Sequence, residues 1–194
     1  MRMIKKPDSS EYPTYSSIYM DLLKEDGDIL QQLWDNFIAI KEFVSGLDEE
    51  TLYYRYAPGK WTIKEILLHL IDDERIFTYR ALRYARNDET PLHGFDENLY
   101  ARYSEANARS LESLFEEYEW VRRSTIALFE YLPEQAFPRG GEGIDFDGSV
   151  VNRRTVRALA YHIAGHELRH FNIIKERYLG IKLPPESSTY LEAE

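Results

Sequence analysis

Residues 56–88, YAPGKWTIKEILLHLIDDERIFTYRALRYARND, carry the reading that decides the fold. Pro58 and Gly59 make a turn, Thr62 stands as an N-cap with Glu65 three residues on, and apolar side chains recur at Ile66, Leu70, Phe77 and Ala81. A capping box followed by apolar spacing of three and four is an amphipathic helix, predicted from about Thr62 to Arg86. Its apolar stripe needs covering, and the chain supplies three further stripes. From Asp21 to Leu47, Leu30, Leu33, Trp34, Phe37, Ile40, Val44 and Leu47 share one face. From Glu105 to Leu132, Leu111, Leu114, Phe115, Tyr118, Val121, Thr125, Leu128 and Leu132 do the same, and Pro133 stops that helix. A fourth runs from roughly Arg153 to Leu179 on Val156, Leu159, Ile163, Ile173 and Ile174, with Gly180 and the pair Pro184 and Pro185 ending it. Alternation of strand period is scarce, so the expected fold is all-α, a four-helix bundle. The Gly- and Pro-rich residues 134–152 interrupt the helical pattern and are read as a functional loop with room for a small hairpin.

One domain over residues 1–194 is expected, with its core at about 18–180 and irregular tails at both ends, because no repeat or shift in composition divides the chain. The connections between the second, third and fourth helices are long enough for topologies other than up-down-up-down. Formal net charge is −10, from 34 acidic and 24 basic residues, and the basic residues are scattered. That balance disfavours attraction to phosphate backbones, so no nucleic-acid partner is expected. No apolar run matches a signal peptide or a membrane span, which makes a cytoplasmic location without membrane attachment the expectation. Fifteen tyrosines imply an aromatic-rich surface compatible with a homodimer. Cysteine is absent, so any site chemistry rests on imidazole and carboxylate.

Four of the five histidines fall in predicted helices: His69 in the second, and His162, His166 and His170 in the fourth. Helix positions four apart are separated by a rise of about 6 Å and can share an ion; positions eight apart, at about 12 Å, cannot. His166 therefore pairs with either His162 or His170, and spacing alone leaves that choice open. His69, on the inner face of the second helix, is the natural third donor, since bundle metal sites draw on facing helices. Burying three imidazoles without partners costs about 1–3 kcal/mol each, which a metal offsets. Three neutral imidazoles suit Zn, Ni, Fe or Cu and leave coordination positions for water and a small-molecule substrate. His93, in the loop PLHGFDE, is read as a surface residue. Asp73 and Glu74 are candidates to orient a ligating histidine; for Glu74 an ion pair with Arg75, Arg80 or a neighbouring helix is the favoured reading. Tyr161 and Asp96 are placed at the mouth of the site.

His166, Glu167 and His170 also spell His-Glu-x-x-His, the string of zinc peptidases, in which the glutamate is general base. Only three positions define that string, and the extended form with a downstream Gly and third His is missing. Glu167, rotated about 100° from His166, is read as a solvent-facing or interhelical ion pair, with Arg169 or Arg154 as partner. The peptidase remains the runner-up, alongside a non-catalytic metal-stabilised bundle that acts by dimerisation.

Three stretches together, residues 54–88, which extend the stretch quoted above by Tyr54 and Arg55, PLHGFDEN at 91–98 and TVRALAYHIAGHELRHFNIIKERYL at 155–179, resemble the DinB-like or YfiT-like superfamily of metal-dependent four-helix bundles, over about Ile29 to Leu179. The resemblance implies a divalent metal, Zn, Ni or Fe, on His69, His166 and His170. Relatives often carry His-His where this chain has Arg169 and His170, and an apolar residue at His162. By that comparison Arg169 is no ligand, and His162 is a core polar residue before it is a proton carrier or an orienting donor. The resemblance further implies hydrolysis, or transfer to a low-molecular-weight thiol such as bacillithiol or mycothiol. The metal activates water or the thiol, and Asp73 and His162 are the catalytic candidates.

Overall fold

The computed structural model describes residues 1–88, 90–144 and 147–183. The pair Pro184 and Pro185 and the irregular C-terminal tail lie outside the described residues. Seven α-helices are found among those described: α1 (Ser17–Met20), α2 (Ile29–Ser45), α3 (Glu49–Tyr53), α4 (Ile63–Ala85), α5 (Glu97–Tyr103), α6 (Leu111–Tyr131) and α7 (Val156–Ile173). The four long ones, α2, α4, α6 and α7, form the bundle. Each of α2 and α4 packs against both α6 and α7. The two long helices that follow one another in sequence therefore sit across the bundle from each other, which excludes the simple up-down-up-down order.

Local chemistry places the ends. The Thr62 hydroxyl accepts from the Glu65 N–H at 3.1 Å, and the Glu65 carboxylate accepts from the Thr62 N–H at 2.8 Å, so α4 starts as predicted. The helix expected from Asp21 begins instead at Ile29. Residues 17–20 make the separate short α1, and Gly27 takes a left-handed φ of 80° at the break. The helix expected from Glu105 begins at Leu111, capped by the Ser110 hydroxyl, because Glu105 itself has a φ of 52° and opens a tight turn. The helix expected from Arg153 begins at Val156 under a Thr155 cap, since Arg153 belongs to a strand. At its far end α7 widens into a π-helical turn, Ile174–Tyr178, before Gly180 at a φ of 65°.

The stretch 134–152 does hold a hairpin. Strand β2 (Gly140–Ile144) runs antiparallel to β3 (Val150–Thr155), and the two-residue β1 (Leu92–His93) joins β2 in parallel. The N-terminal segment is not a loose tail: Ile4 and Met20 are buried, and the Glu11 carboxylate receives Arg157 at 2.6 and 2.7 Å and the Thr155 hydroxyl at 2.8 Å. Segment and hairpin together cap one end of the bundle.

Buried apolar residues fall into two clusters. One gathers Leu30, Leu33, Phe77, Ala81, Phe129, Leu159 and Ile163; the other gathers Phe37, Ile40, Ile66, Leu70, Leu114, Phe115 and Phe171. Along every long helix the changeover falls at buried polar residues: Asn36 on α2, Asp73 and Glu74 on α4, Arg122 on α6, and His166 and Glu167 on α7. A polar band thus crosses the middle of the bundle.

Candidate metal centre

His69 on α4 and His166 and His170 on α7 meet in that band. Nε2 of His166 lies 3.2 Å from Nε2 of His69 and 3.1 Å from Nε2 of His170. All three are at most 8% exposed. Burial first, and the neighbouring imidazoles second, hold their pKa values well below the ordinary histidine range, so each is neutral at pH 7 with a lone pair to offer. Behind His166, the Asp73 Oδ2 lies 3.3 Å from Nδ1. That contact places the ring proton on Nδ1 and leaves Nε2 as the lone pair.

These residues fit a metal ion. A single imidazole nitrogen has either one proton or one lone pair, so Nε2 of His166 cannot satisfy two neighbouring nitrogens by hydrogen bonding alone. Donors bound to one tetrahedral Zn at about 2.0–2.1 Å stand roughly 3.3–3.4 Å apart, close to the two separations at His166, and all three donors lie within 4.8 Å of one another. The three are a group that could hold a metal.

The other candidates are distributed as follows. His162 stacks flat on Phe77 at 4.0 Å, with its ring 5.6 Å from that of His166; its Nδ1 is buried without a partner. Asp73 is buried, and desolvation first, then the Glu97 charge, push its carboxyl well above the usual range. His93 is exposed as expected, and its carbonyl accepts from Arg80 at 3.0 Å. Tyr161 is not at a mouth: it is buried, and its hydroxyl donates to the Ile4 carbonyl at 2.7 Å. Asp96 is likewise displaced from that role, because its carboxylate caps α5 by accepting from the Leu99 N–H at 3.0 Å.

Glu167 is neither solvent-facing nor paired within its own helix. Its carboxylate receives Arg122 Nη2 at 2.6 Å, the Tyr118 hydroxyl at 2.7 Å and Asn36 Nδ2 at 3.0 Å. Arg122 also donates to Glu74, at 2.9 Å. Glu74 therefore pairs with a neighbouring helix, not with Arg75 or Arg80. With its oxygens taken by three other side chains of the core, Glu167 is not available as a base for a nucleophile at the histidines. Arg169 is buried as well.

Two cavities border the histidines. One, of about 260 Å³, is lined by His166, Asp73, His162, Phe77, Arg80 and Arg154, with Tyr15 and Tyr19 closing it from the N-terminal segment. The other, of about 280 Å³, touches His170, Trp61, Tyr56, Lys60 and Tyr178; Glu97 borders both. Trp61 also packs on the His69 ring at 4.7 Å. Gly165, between His162 and His166, lets α1 lie on α7: a Cβ there would sit 2.3 Å from the Tyr19 carbonyl oxygen. Tyr15, Tyr19, Trp61 and Glu97 are absent from the sequence reading because they reach the site from loops and short helices whose local pattern carries no sign of it.

Known proteins resemble this chain in sequence and in fold. A "Putative metal-dependent hydrolase" of Oceanobacillus iheyensis is 28% identical over 145 residues, 74% of this chain and 82% of that one. A second protein of that description, from Geobacillus thermodenitrificans, is 26% identical over 101 residues, 52% of this chain and 57% of its own length. Among solved structures, YfiT from Bacillus subtilis, described as "a probable metal-dependent hydrolase with an unusual four-helix bundle topology", superposes with a TM-score of 0.66 at 19% identity, covering 92% of this chain and 95% of YfiT. The family model for the DinB superfamily matches residues 29–174. That span runs from the first residue of α2 to just past the last of α7 and takes in the whole bundle with its three histidines, and the chain belongs to the DinB superfamily.

Proposed function

We propose that the chain is a metal-dependent hydrolase of a small substrate, with a divalent ion on His69, His166 and His170 and the reaction in the cavity beside His166. The observation that carries this reading is the convergence of three buried, neutral Nε2 atoms, with His166 lining an open cavity and a carboxyl behind its ring. The names of the two bacterial relatives support hydrolysis. When bound, the ion supplies Lewis-acid chemistry, polarising a substrate oxygen and making a nucleophile of water at neutral pH. The chain's own residues do the rest. Asp73 fixes the His166 ring from the cavity wall, where a carboxyl is placed to exchange a proton with a substrate as general acid or base. His162, on the same wall, offers the unpartnered Nδ1 as a second proton carrier. Phe77 and Leu159 restrict water there.

A second reading, transfer to a low-molecular-weight thiol, is favoured by the second cavity at His170. Its volume leaves room for a cosubstrate, and the chain has no thiol of its own. Metal analysis of the purified protein, followed by assays of the loaded form on simple esters and amides and on electrophiles with added thiol, tests both. His170→Ala should lose the metal, and Asp73→Asn should bind it about 10–100-fold more weakly. Ester or amide turnover that disappears in His170→Ala supports the hydrolase; turnover only with added thiol supports transfer. A protein that takes up no divalent ion overturns both, and peptide cleavage that depends on Glu167 restores the peptidase.

A further inference from the structure

The cavity beside His166 contains a charge that the hydrolysis above does not use. Arg154, at the end of β3, is 8% exposed. One Nη donates to the Tyr15 hydroxyl, and the guanidinium lies over the Tyr15 and Phe77 rings at 5.4 and 5.6 Å. Its Nε is buried with no hydrogen-bond partner. Burial lowers its pKa to about 10, and among the described residues no carboxylate opposes the shift. Arg122, also buried, is by contrast closed between Glu74 and Glu167. An enclosed guanidinium with no counter-charge among the described residues is unfavourable, and an apolar side chain of similar size would avoid the penalty. Retaining arginine here makes sense if the anion arrives with a ligand, because the guanidinium fork matches carboxylate and phosphate oxygens.

The surroundings orient such a ligand. Arg80 lines the same cavity with its guanidinium 4.8 Å from the Phe77 ring, the ring that Arg154 also approaches. Asp73 and Glu97 stand on the lining as well and repel an anion from the part of the cavity they occupy.

We infer that Arg154, with Arg80 beside it, seats a carboxylate or phosphate group of the substrate, so that the molecule acted on is a small acid whose uncharged, hydrolysable end reaches His166. What happens at that far end rests on the hydrolase reading; the anion seat does not. Calorimetric titration of the full-length protein with benzoate, benzamide and inorganic phosphate separates the two. Benzoate or phosphate should bind at least about tenfold more tightly than benzamide, a difference of about 1.4 kcal/mol. Arg154→Met should abolish that preference, and Arg154→Lys, which keeps the charge and loses the fork, should weaken it. Benzoate alone identifies a carboxylate substrate, phosphate alone a phosphate ester. His170→Ala, which removes the proposed metal, should leave anion binding unchanged, so failure of the metal reading is seen separately. Benzamide binding as tightly as both anions, unchanged anion affinity in both Arg154 variants, or loss of anion binding in a folded His170→Ala would overturn the inference. Since Arg154→Met removes an unpaired charge, its melting temperature should not fall; if it does not fold, Arg154→Lys carries the comparison.

Discussion

Arg122 has no solvent exposure and keeps its charge, because Glu74 of α4 and Glu167 of α7 close on it from two helices. Burial works against the guanidinium, but the Glu167 and Glu74 charges outweigh it and hold its pKa well above the ordinary arginine value. Its remaining donors reach the Leu33 carbonyl and the Tyr118 hydroxyl. Such a set does not imply a net gain over apolar packing, yet breaking it strands two carboxylates in the core. Arg122→Ala should therefore lower the unfolding free energy by about 3–5 kcal/mol in chemical denaturation; a loss below about 1 kcal/mol would mean that water reaches the carboxylates. The same residue explains the fate of the His-Glu-x-x-His string. Its two histidines face the cavities, while the intervening glutamate, rotated along the helix, is committed to α6.

At the scale of elements, the N-terminal segment and the hairpin decide how the site is enclosed. Glu11 ties the segment to the junction of β3 and α7 through Arg157 and Thr155. Burial raises the Glu11 pKa, and the hydrogen bonds from Arg157, Asp8 N–H and Thr155 outweigh it, so the folded value lies below the model-compound 4.5. A carboxylate with a depressed folded pKa stabilises fully above its unfolded pKa, and that contribution is lost as pH falls through the folded value. Limited proteolysis should accordingly leave residues 1–28 protected at neutral pH and release them below about pH 4.5. Glu11→Gln should make the segment more sensitive already at neutral pH, and protection unaltered by that change would exclude Glu11 as the tie. Residues 134–152 read as a loop because glycines and a proline suppress helix without announcing a strand pairing; the partner at Leu92 and His93 lies some fifty residues away.

For the whole molecule, the metal proposed for the polar band would link stability to ion binding. A ligand that binds only the folded state stabilises by RT ln(1 + [L]/Kd), so free metal at 100 times Kd should add about 2.7 kcal/mol and raise Tm by roughly 5–10 °C for a chain of this size. Calorimetry with and without chelator checks this, and His170→Ala should show no metal-dependent rise. A rise retained in that variant would place the ion elsewhere.

Four helices, the cap of α4 at Thr62 and the stops at Pro133 and Gly180 were legible in the sequence, because helix period and capping are local properties of neighbouring residues; the starts of the other three were displaced by turns at Gly27 and Glu105 and by the β3 strand. So was the set of candidate donors, since positions four apart on a helix must share a face. Local pattern could not choose between His162 and His170, which are both one turn from His166 and differ only in what faces them. Packing of α4 against α7 sets Nε2 of His69 within reach of His166 and His170 and turns His162 onto Phe77. Tertiary structure alone also sent Glu167 to Arg122, crossed α2 and α4 over the bundle, and brought Arg154 and the N-terminal tyrosines to the cavity. Those outcomes depend on contacts between residues more than forty positions apart, which periodicity does not encode.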